Sequence, residues 1–324
     1  MVDVLSLFTS PQAVMPSRRL LLKQPMMRGV LWALLPALLW AVNAYGWRAA
    51  VLVGLTMVAA VIAEGAFVWR MGKPVSEAAL VTGALLGMSL PPQLPLWMGP
   101  VGAAFAIVFG KMSFGGFGMN PFNPAMVGRA FIYLAFPIAM TGGWASPDVG
   151  VPGGFGTWSP DAITGATPMI ASEQGNPAPH LSLLLGREAG SLGEGARLLL
   201  ILGGLYLLLM KYARWRFVLS TFAGGVGLAA ILWAFGVRNA PDPLYTVLSG
   251  GFVLGAFYMA TDPISSPKTM PGAWVYGVII GALTVVIRVF GAFAEGMMFA
   301  VLIGNMAGPV VDWWVTDRRK PEEP

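Results

Sequence analysis

An all-α polytopic membrane protein is predicted, with ten transmembrane helices in two inverted five-helix repeats. Three observations predict it. Of 324 residues, 56% are hydrophobic and only 11% charged, with mean hydropathy +0.70; a soluble domain carries about 25% charged residues. Ten apolar segments are spaced along the chain. The first five resemble the second five in order. The net charge of +5 has no bearing on nucleic acid until the cations are sorted by membrane side. The chain has no cysteine and one histidine, which excludes disulfides, thiolate metal sites and iron–sulfur clusters on this chain.

Residues 1–27 are polar and basic, have no cleavage-site pattern, and read as a cytoplasmic tail. A bilayer core is about 30 Å thick and a span needs roughly 20 apolar residues. The predicted spans are 28–46, 48–70, 77–90, 97–112 and 124–140, then 197–211, 216–236, 245–260, 272–290 and 295–313. They group as a first repeat, 28–140, and a second, 197–313, separated by a loop over 141–196 and followed by a tail over 314–324. Segments 77–90 and 245–260 are short and run into Pro91-Pro92 and Pro263. Irregular backbone at that depth must be buried in protein or line a cavity.

Threading the spans from a cytoplasmic N-terminus puts 15 Lys and Arg on the cytoplasmic side, Lys111 and Arg129 among them. Five fall on the other side: Arg48, Arg187, Arg197, Arg238 and Arg288. The bias predicts both termini inside and the 141–196 loop on the non-cytoplasmic side. Trp47, Trp69, Trp97, Trp215, Trp233, Trp274, Trp313 and Trp314 fall at span ends, where an interfacial belt belongs.

The repeat is visible residue by residue. Leu80 to Pro91 aligns with Phe252 to Pro263, so that Gly83 meets Gly255 and Ala84 meets Ala256. Phe114 to Phe117 aligns with Phe290 to Phe293, and Gly128 falls on Gly304. Five is odd, so the second half enters the membrane inverted, and paired short segments in such repeats point to a central site. Close packing of glycine-rich helices is the plainer account.

The loop contains Asp161-Ala-Ile-Thr164-Gly165-Ala166-Thr167-Pro168. Small residues leave the Thr167 hydroxyl open, and Pro168 disfavours helix at Thr167. An ordinary turn, with Asp161 capping toward Thr164, accounts for the pattern equally well. A hydroxyl needs an activating partner to act as a nucleophile, and the loop offers no obvious base besides Asp161. Any modification of Thr167 therefore points to an external enzyme. Asn120, Asn123, Thr261 and Asp262 flank spans on the cytoplasmic side; their amide and carboxylate oxygens suit a planar cofactor ring, a nucleotide edge or a hydrated cation, with helix capping as the plainer account. Glu64 lies inside the second span, about two turns from Arg70, and is an ion-path candidate. Arg288 and Glu295 lie near span ends, where snorkelling to the interface is the alternative.

These residues carry a resemblance. The loop octapeptide is similar to the flavinylation motif of the D subunit of Rnf-type ion-translocating oxidoreductases. A related motif occurs in the B subunit of the sodium-translocating NADH:quinone oxidoreductase. Asn120-Pro-Phe-Asn123-Pro-Ala and Thr261-Asp262-Pro263 resemble the family's other two signatures, in the same order. The resemblance implies FMN joined covalently to Thr167 by a flavin transferase, within the motif Asp161, Thr164, Gly165 and Ala166. It also implies a second, non-covalent flavin, riboflavin, in the membrane core. Partner subunits would carry the iron–sulfur clusters and a further FMN, and electron transfer between ferredoxin and NAD would drive Na⁺ or H⁺ across the membrane. The chain would be an electron-carrying subunit of a translocase, not a complete enzyme. The tail Pro11-Gln-Ala-Val-Met-Pro-Ser17 departs from the family's usual start, and the length favours the D-type protein over the longer B-type one. Ten spans in a five-plus-five inverted repeat also suit a urea-channel-like scaffold, so a flavin-free channel or a structural scaffold stands as the alternative; the flavinylation motif separates them.

Overall fold

The structure is a computed structural model and describes residues 21–148, 153–159, 165, 167–291 and 295–317. Asp161, Thr164 and Ala166 lie outside the described residues. The chain folds as a helical bundle with one short parallel pairing, β1 (Leu21–Leu22) on β2 (Val75–Ser76). The first-half helices are α1 (Pro25–Tyr45), α2 (Trp47–Val68), α3 (Glu77–Met88), α4 (Met98–Gly110), α5 (Pro124–Ala135) and α6 (Pro137–Gly142). The loop carries α7 (Pro168–Glu173) and α8 (His180–Leu185). The second half has α9 (Arg197–Leu209), α10 (Trp215–Ala234), α11 (Pro243–Leu248), α12 (Phe252–Leu254) with a π-helical turn over Gly255–Met259, α13 (Met270–Phe290) and α14 (Met297–Asp317).

Every predicted segment is helical, but the segments are not ten spans of equal length. Five helices are long and apolar enough to cross a membrane: Pro25–Tyr45, Trp47–Met71, Trp215–Ala234, Met270–Phe290 and Met297–Asp317. Glu77–Met88, Met98–Phe114, Pro124–Ala135 and Arg197–Leu209 are shorter apolar helices. Twelve or thirteen residues of α-helix rise about 20 Å, less than the hydrocarbon thickness. The causes are local. Pro137 removes a helical donor and splits 124–140 into α5 and α6. Gly250, at φ +54, interrupts 245–260 before the chain resumes at Phe252. The π turn follows where the first half has a regular α-helix, so the two repeats diverge at their aligned segments.

The irregular backbone is buried, as its depth requires. After α3 the carbonyls of Met88 and Leu90 accept from Gly193 N (2.6 Å) and Leu192 N (3.1 Å). Residues 189–196, predicted as part of a solvent-facing loop, are buried throughout; this stretch inserts into the bundle. Arg48 of α2 donates to the carbonyls of Pro92 and Leu94, and Arg288 of α13 donates to those of Thr246 (2.7 Å) and Ser249 (3.0 Å). Orphan carbonyls at both broken helices thus find guanidinium partners.

Equivalent helices pack on equivalent partners. α2 lies on α4 as α10 lies on α13, α4 on α5 as α13 on α14, and α1 meets α9 while α5 meets α14. At aligned positions, a side chain on Gly128 of α5 would strike Gly102 O and Ala106 of α4, and one on Gly304 of α14 would strike Tyr276 and Ile280 of α13. All eight tryptophans predicted for the interfacial belt are exposed.

A Cβ on Gly128 would approach Gly102 O to 2.6 Å, whereas nothing lies within 4 Å of one on Gly142. Gly128→Val is expected to cost about 1–3 kcal/mol or prevent folding, with Gly142→Ala near neutral; thermal melts followed by detergent size-exclusion chromatography decide it.

Candidate functional site

Thr167 begins α7. Its extended backbone (φ −64°, ψ 155°) makes it the N-cap, and its Oγ1 accepts a long hydrogen bond from Ile170 N, 3.5 Å. Pro168 occupies the first helical position, where its missing N–H is harmless. The residue is 6% exposed. Its neighbourhood is fixed from both halves. Gly165 N donates to Trp144 O at 3.2 Å, and a Cβ on Gly165 would meet Ser146 Oγ and Ala189, so this motif position needs its glycine for close approach. Pro168 O accepts from Tyr245 Oη at 2.6 Å. Tyr245 packs with Met169 and Leu183, its amide is capped by Asp242 (2.9 Å), and Asp242 also meets His180 Nε2 at 3.1 Å. His180 therefore belongs to the brace that holds the threonine turn.

A pocket of about 220 Å³ opens beside Thr167, with Trp144, Tyr133, Ile170 and Glu295 among its lining. Glu295 is not snorkelling. It is 7% exposed and forms an ion pair with Arg129 of α5, itself 3% exposed. Arg129 and Lys111, counted as cytoplasmic, and Arg197 and Arg288, counted on the other face, are all buried. Removing two from each side leaves the Lys and Arg bias with the same sign.

Asn120, Asn123, Thr261 and Asp262 do come together, lining a second pocket with Lys111, Phe117 and Tyr258. Much of their polar capacity is already committed. Asn123 Oδ1 caps α5 through Ala125 N (3.0 Å) and Met126 N (3.4 Å), while its Nδ2 donates to Met259 O across the repeat interface (3.2 Å). Asn305 of α14 completes that joint, accepting from Asn123 N at 2.9 Å. Thr261 Oγ1 donates back to Phe257 O (2.7 Å) and Asn120 Nδ2 to Phe122 O (3.1 Å). Asp262 accepts from Ile264 N and Ser265 Oγ, both at 3.0 Å, in a turn and not a helix cap. Burial pushes the Asp262 carboxyl up from its usual range, opposed by those hydrogen bonds and by Lys268.

Glu64 sits in a closed arrangement. Its Oε2 accepts from Lys111 Nζ at 2.5 Å and its Oε1 from Ser76 N at 3.0 Å, and Lys111 also donates to Ser76 Oγ at 2.7 Å. Both charged side chains are 2% exposed. The chain's own cation occupies the carboxylate, which makes Glu64 a structural partner of Lys111, at the edge of the second pocket. Lys111, Arg129, Asn305 and Tyr245 were missed by sequence reasoning. The first two carried a signal, a cation inside or against an apolar run; the last two carried none.

A model of the family described as NQR2, RnfD, RnfE matches residues 18–320. The chain is 38% identical over 315 residues to the D subunit of the ion-translocating oxidoreductase complex of Alcanivorax borkumensis, covering 90% of this chain and 91% of that one. It is 35% identical over 309 residues to the D subunit of the proton-translocating ferredoxin:NAD(+) oxidoreductase complex of Clostridium ljungdahlii, covering 88% of each. To the B subunit of the Na(+)-translocating NADH-quinone reductase of Azotobacter vinelandii it is 38% identical over 254 residues, 74% of this chain and 60% of that protein.

Glu64→Gln leaves the Lys111 ammonium buried without its counter-charge and is expected to destabilise by about 3–5 kcal/mol. Glu64→Gln combined with Lys111→Met should recover part of the loss in a thermal melt. Tyr245→Phe removes the hydrogen bond to Pro168 O and should cost about 1 kcal/mol, with faster proteolysis between residues 153 and 186.

Proposed function

The chain belongs to the NQR2, RnfD, RnfE family, and we propose that it is the D-type subunit of an Rnf-type ion-translocating oxidoreductase complex, carrying FMN covalently on Thr167. The observation that carries this reading is the placement of Thr167. The threonine of the flavinylation motif stands at the rim of a pocket whose walls combine Trp144, Tyr133 and Ile170 with Glu173 and Glu295; the two aromatic side chains are what a flavin ring would pack on. FMN bound there supplies one-electron carriage. The chain's part is to hold the phosphate on Thr167 Oγ1, to keep the turn rigid through Tyr245 and Asp242, and to shield the ring between the inserted loop and α5.

Relatives that share nearly the whole length are D subunits of ion-translocating oxidoreductase complexes. Ferredoxin and NAD are then the electron partners, reached through iron–sulfur and flavin subunits, and Na⁺ or H⁺ is the coupled ion. A flavin transferase attaches the FMN. The second, non-covalent flavin implied by the resemblance, riboflavin, would have to open the pocket lined by Asn120, Lys111, Phe117 and Asp262, whose cavity of about 60 Å³ is smaller than a flavin ring and whose polar groups are held by neighbours.

We read the architecture as ten membrane-embedded segments in two inverted five-helix repeats on a urea-channel-like scaffold, both termini cytoplasmic, in the bacterial inner membrane. The equivalent helix pairings and the Gly128 and Gly304 contacts support that reading, with the shorter helices buried by neighbours instead of spanning alone.

Co-expression with a flavin transferase, followed by denaturing electrophoresis, should give in-gel flavin fluorescence. The Thr167 peptide should be heavier by FMN less water, and Thr167→Val should abolish both. An unmodified peptide, with a control flavoprotein labelled in the same cells, would return the chain to the channel or scaffold alternatives.

A further inference from the structure

Five buried charged side chains gather between the Thr167 pocket and the broken helices. Arg129, Arg197 and Arg288 are 3%, 1% and 2% exposed, and Glu194 and Glu295 are 2% and 7%. Glu194 lies within Coulombic reach of all three arginines, accepts from Ser191 N at 3.2 Å, and abuts Gly190 and Gly251. Arg129 pairs with Glu295. Arg197 and Arg288 are anchored to the carbonyls of Leu183, Thr246 and Ser249. Three cations face two buried carboxylates, and the half-buried Glu188 is also within Coulombic reach of Arg197.

The set is more than a brace. Among the described residues, Arg129 Nε, Arg197 Nε and Nη2, Arg288 Nε and Glu295 Oε1 are buried and have no hydrogen-bond partner, a costly arrangement for a purely structural cluster. Glu295 is also the member that lines the Thr167 pocket, so the cluster meets the pocket through one carboxylate backed directly by one guanidinium. Charges in low dielectric act over several ångströms and escape salt screening. An electron arriving in that pocket adds negative charge against Glu295 and Glu173, which share its lining, with Arg129 directly behind Glu295.

We propose that the Glu295–Arg129 pair, backed by Glu194, Arg197 and Arg288, is the electrostatic control of the Thr167 pocket and sets the reduction potential of the group held there. The pair acts by position: neither residue exchanges electrons, and reduction adds one electron to the bound group without breaking a bond in the chain. This rests on the assignment of flavin to Thr167. Glu295 opposes reduction and Arg129 favours it, so their removal shifts the potential in opposite directions.

The test is a redox titration of flavin absorbance on the purified full-length chain, co-expressed with a flavin transferase, with the Thr167→Val spectrum subtracted. Glu295→Gln, which keeps the side-chain shape, is expected to raise the midpoint potential, Glu295→Asp to move it less, and Arg129→Gln to lower it. If Arg129→Gln does not accumulate, the two Glu295 variants decide alone. An unchanged midpoint in Glu295→Gln with full flavin loading overturns the inference, including the case in which only thermal stability falls. Absence of covalent flavin from the wild-type chain instead overturns the Thr167 assignment, a different and separately visible result.

Discussion

Backbone at membrane depth has no water to turn to, and the rest of this structure follows from how its broken helices meet that constraint. Helix α3 stops at Met88 and helix α11 at Leu248, both short of a full crossing. The carbonyls they release are taken by three sources: the inserted 189–196 stretch, Arg48 and Arg288. The insertion is therefore an internal part of the bundle, and the loop that carries it is anchored at the same point. Thr167 inherits its position from that anchor, because Gly165 packs on Ala189 and Pro168 is tied to Tyr245 of α11.

Satisfying backbone with arginine brings charge into the interior, and charge must be balanced there. Glu194 enters with the inserted stretch and faces the arginines that the broken helices recruit. On the opposite side, Glu64 and Lys111 solve the same problem as a closed pair beside Ser76. The two clusters differ in completeness. The Glu64 pair is satisfied, whereas the arginine cluster retains unpartnered N–H groups and one carboxylate directed at a pocket. That contrast separates a structural ion pair from an electrostatic device.

The repeats are alike in packing and unlike in detail. Close glycine contacts recur at Gly128 and Gly304, because helices that approach closely need small residues at the crossing. The segments that align best in sequence nevertheless fold differently: Leu80–Pro91 holds a regular helix, while Phe252–Pro263 holds a π turn. π turns favour functional sites, and this one places Tyr258 and Thr261 against the second pocket. Two pockets, one beside Thr167 and one beside Asn123 and Asp262, lie where the two halves share helix pairings but differ in local backbone.

Composition and periodicity alone determined the membrane class, the helical segments and the exposed tryptophan belt. The loop octapeptide singled out Thr167 through its resemblance to the family's motif; small residues, a hydroxyl and a proline in consecutive positions read equally well as an ordinary turn. The capping role of Asn123 was also legible, since an Asn-Pro start is a capping signal wherever it occurs, but its partner Asn305 was not. Helix length was not, because Pro137 and Gly250 act on backbone hydrogen bonds that hydropathy does not register. Nor was the fate of the charges. Arg129, Arg288 and Glu295 sit near segment ends in sequence, where the interface is the natural home of a charge. Only the tertiary structure decided that they turn inward, because their partners, Glu194 and the free carbonyls of Thr246 and Ser249, come from segments far away in the chain, and a one-dimensional reading has no term for the distance between them.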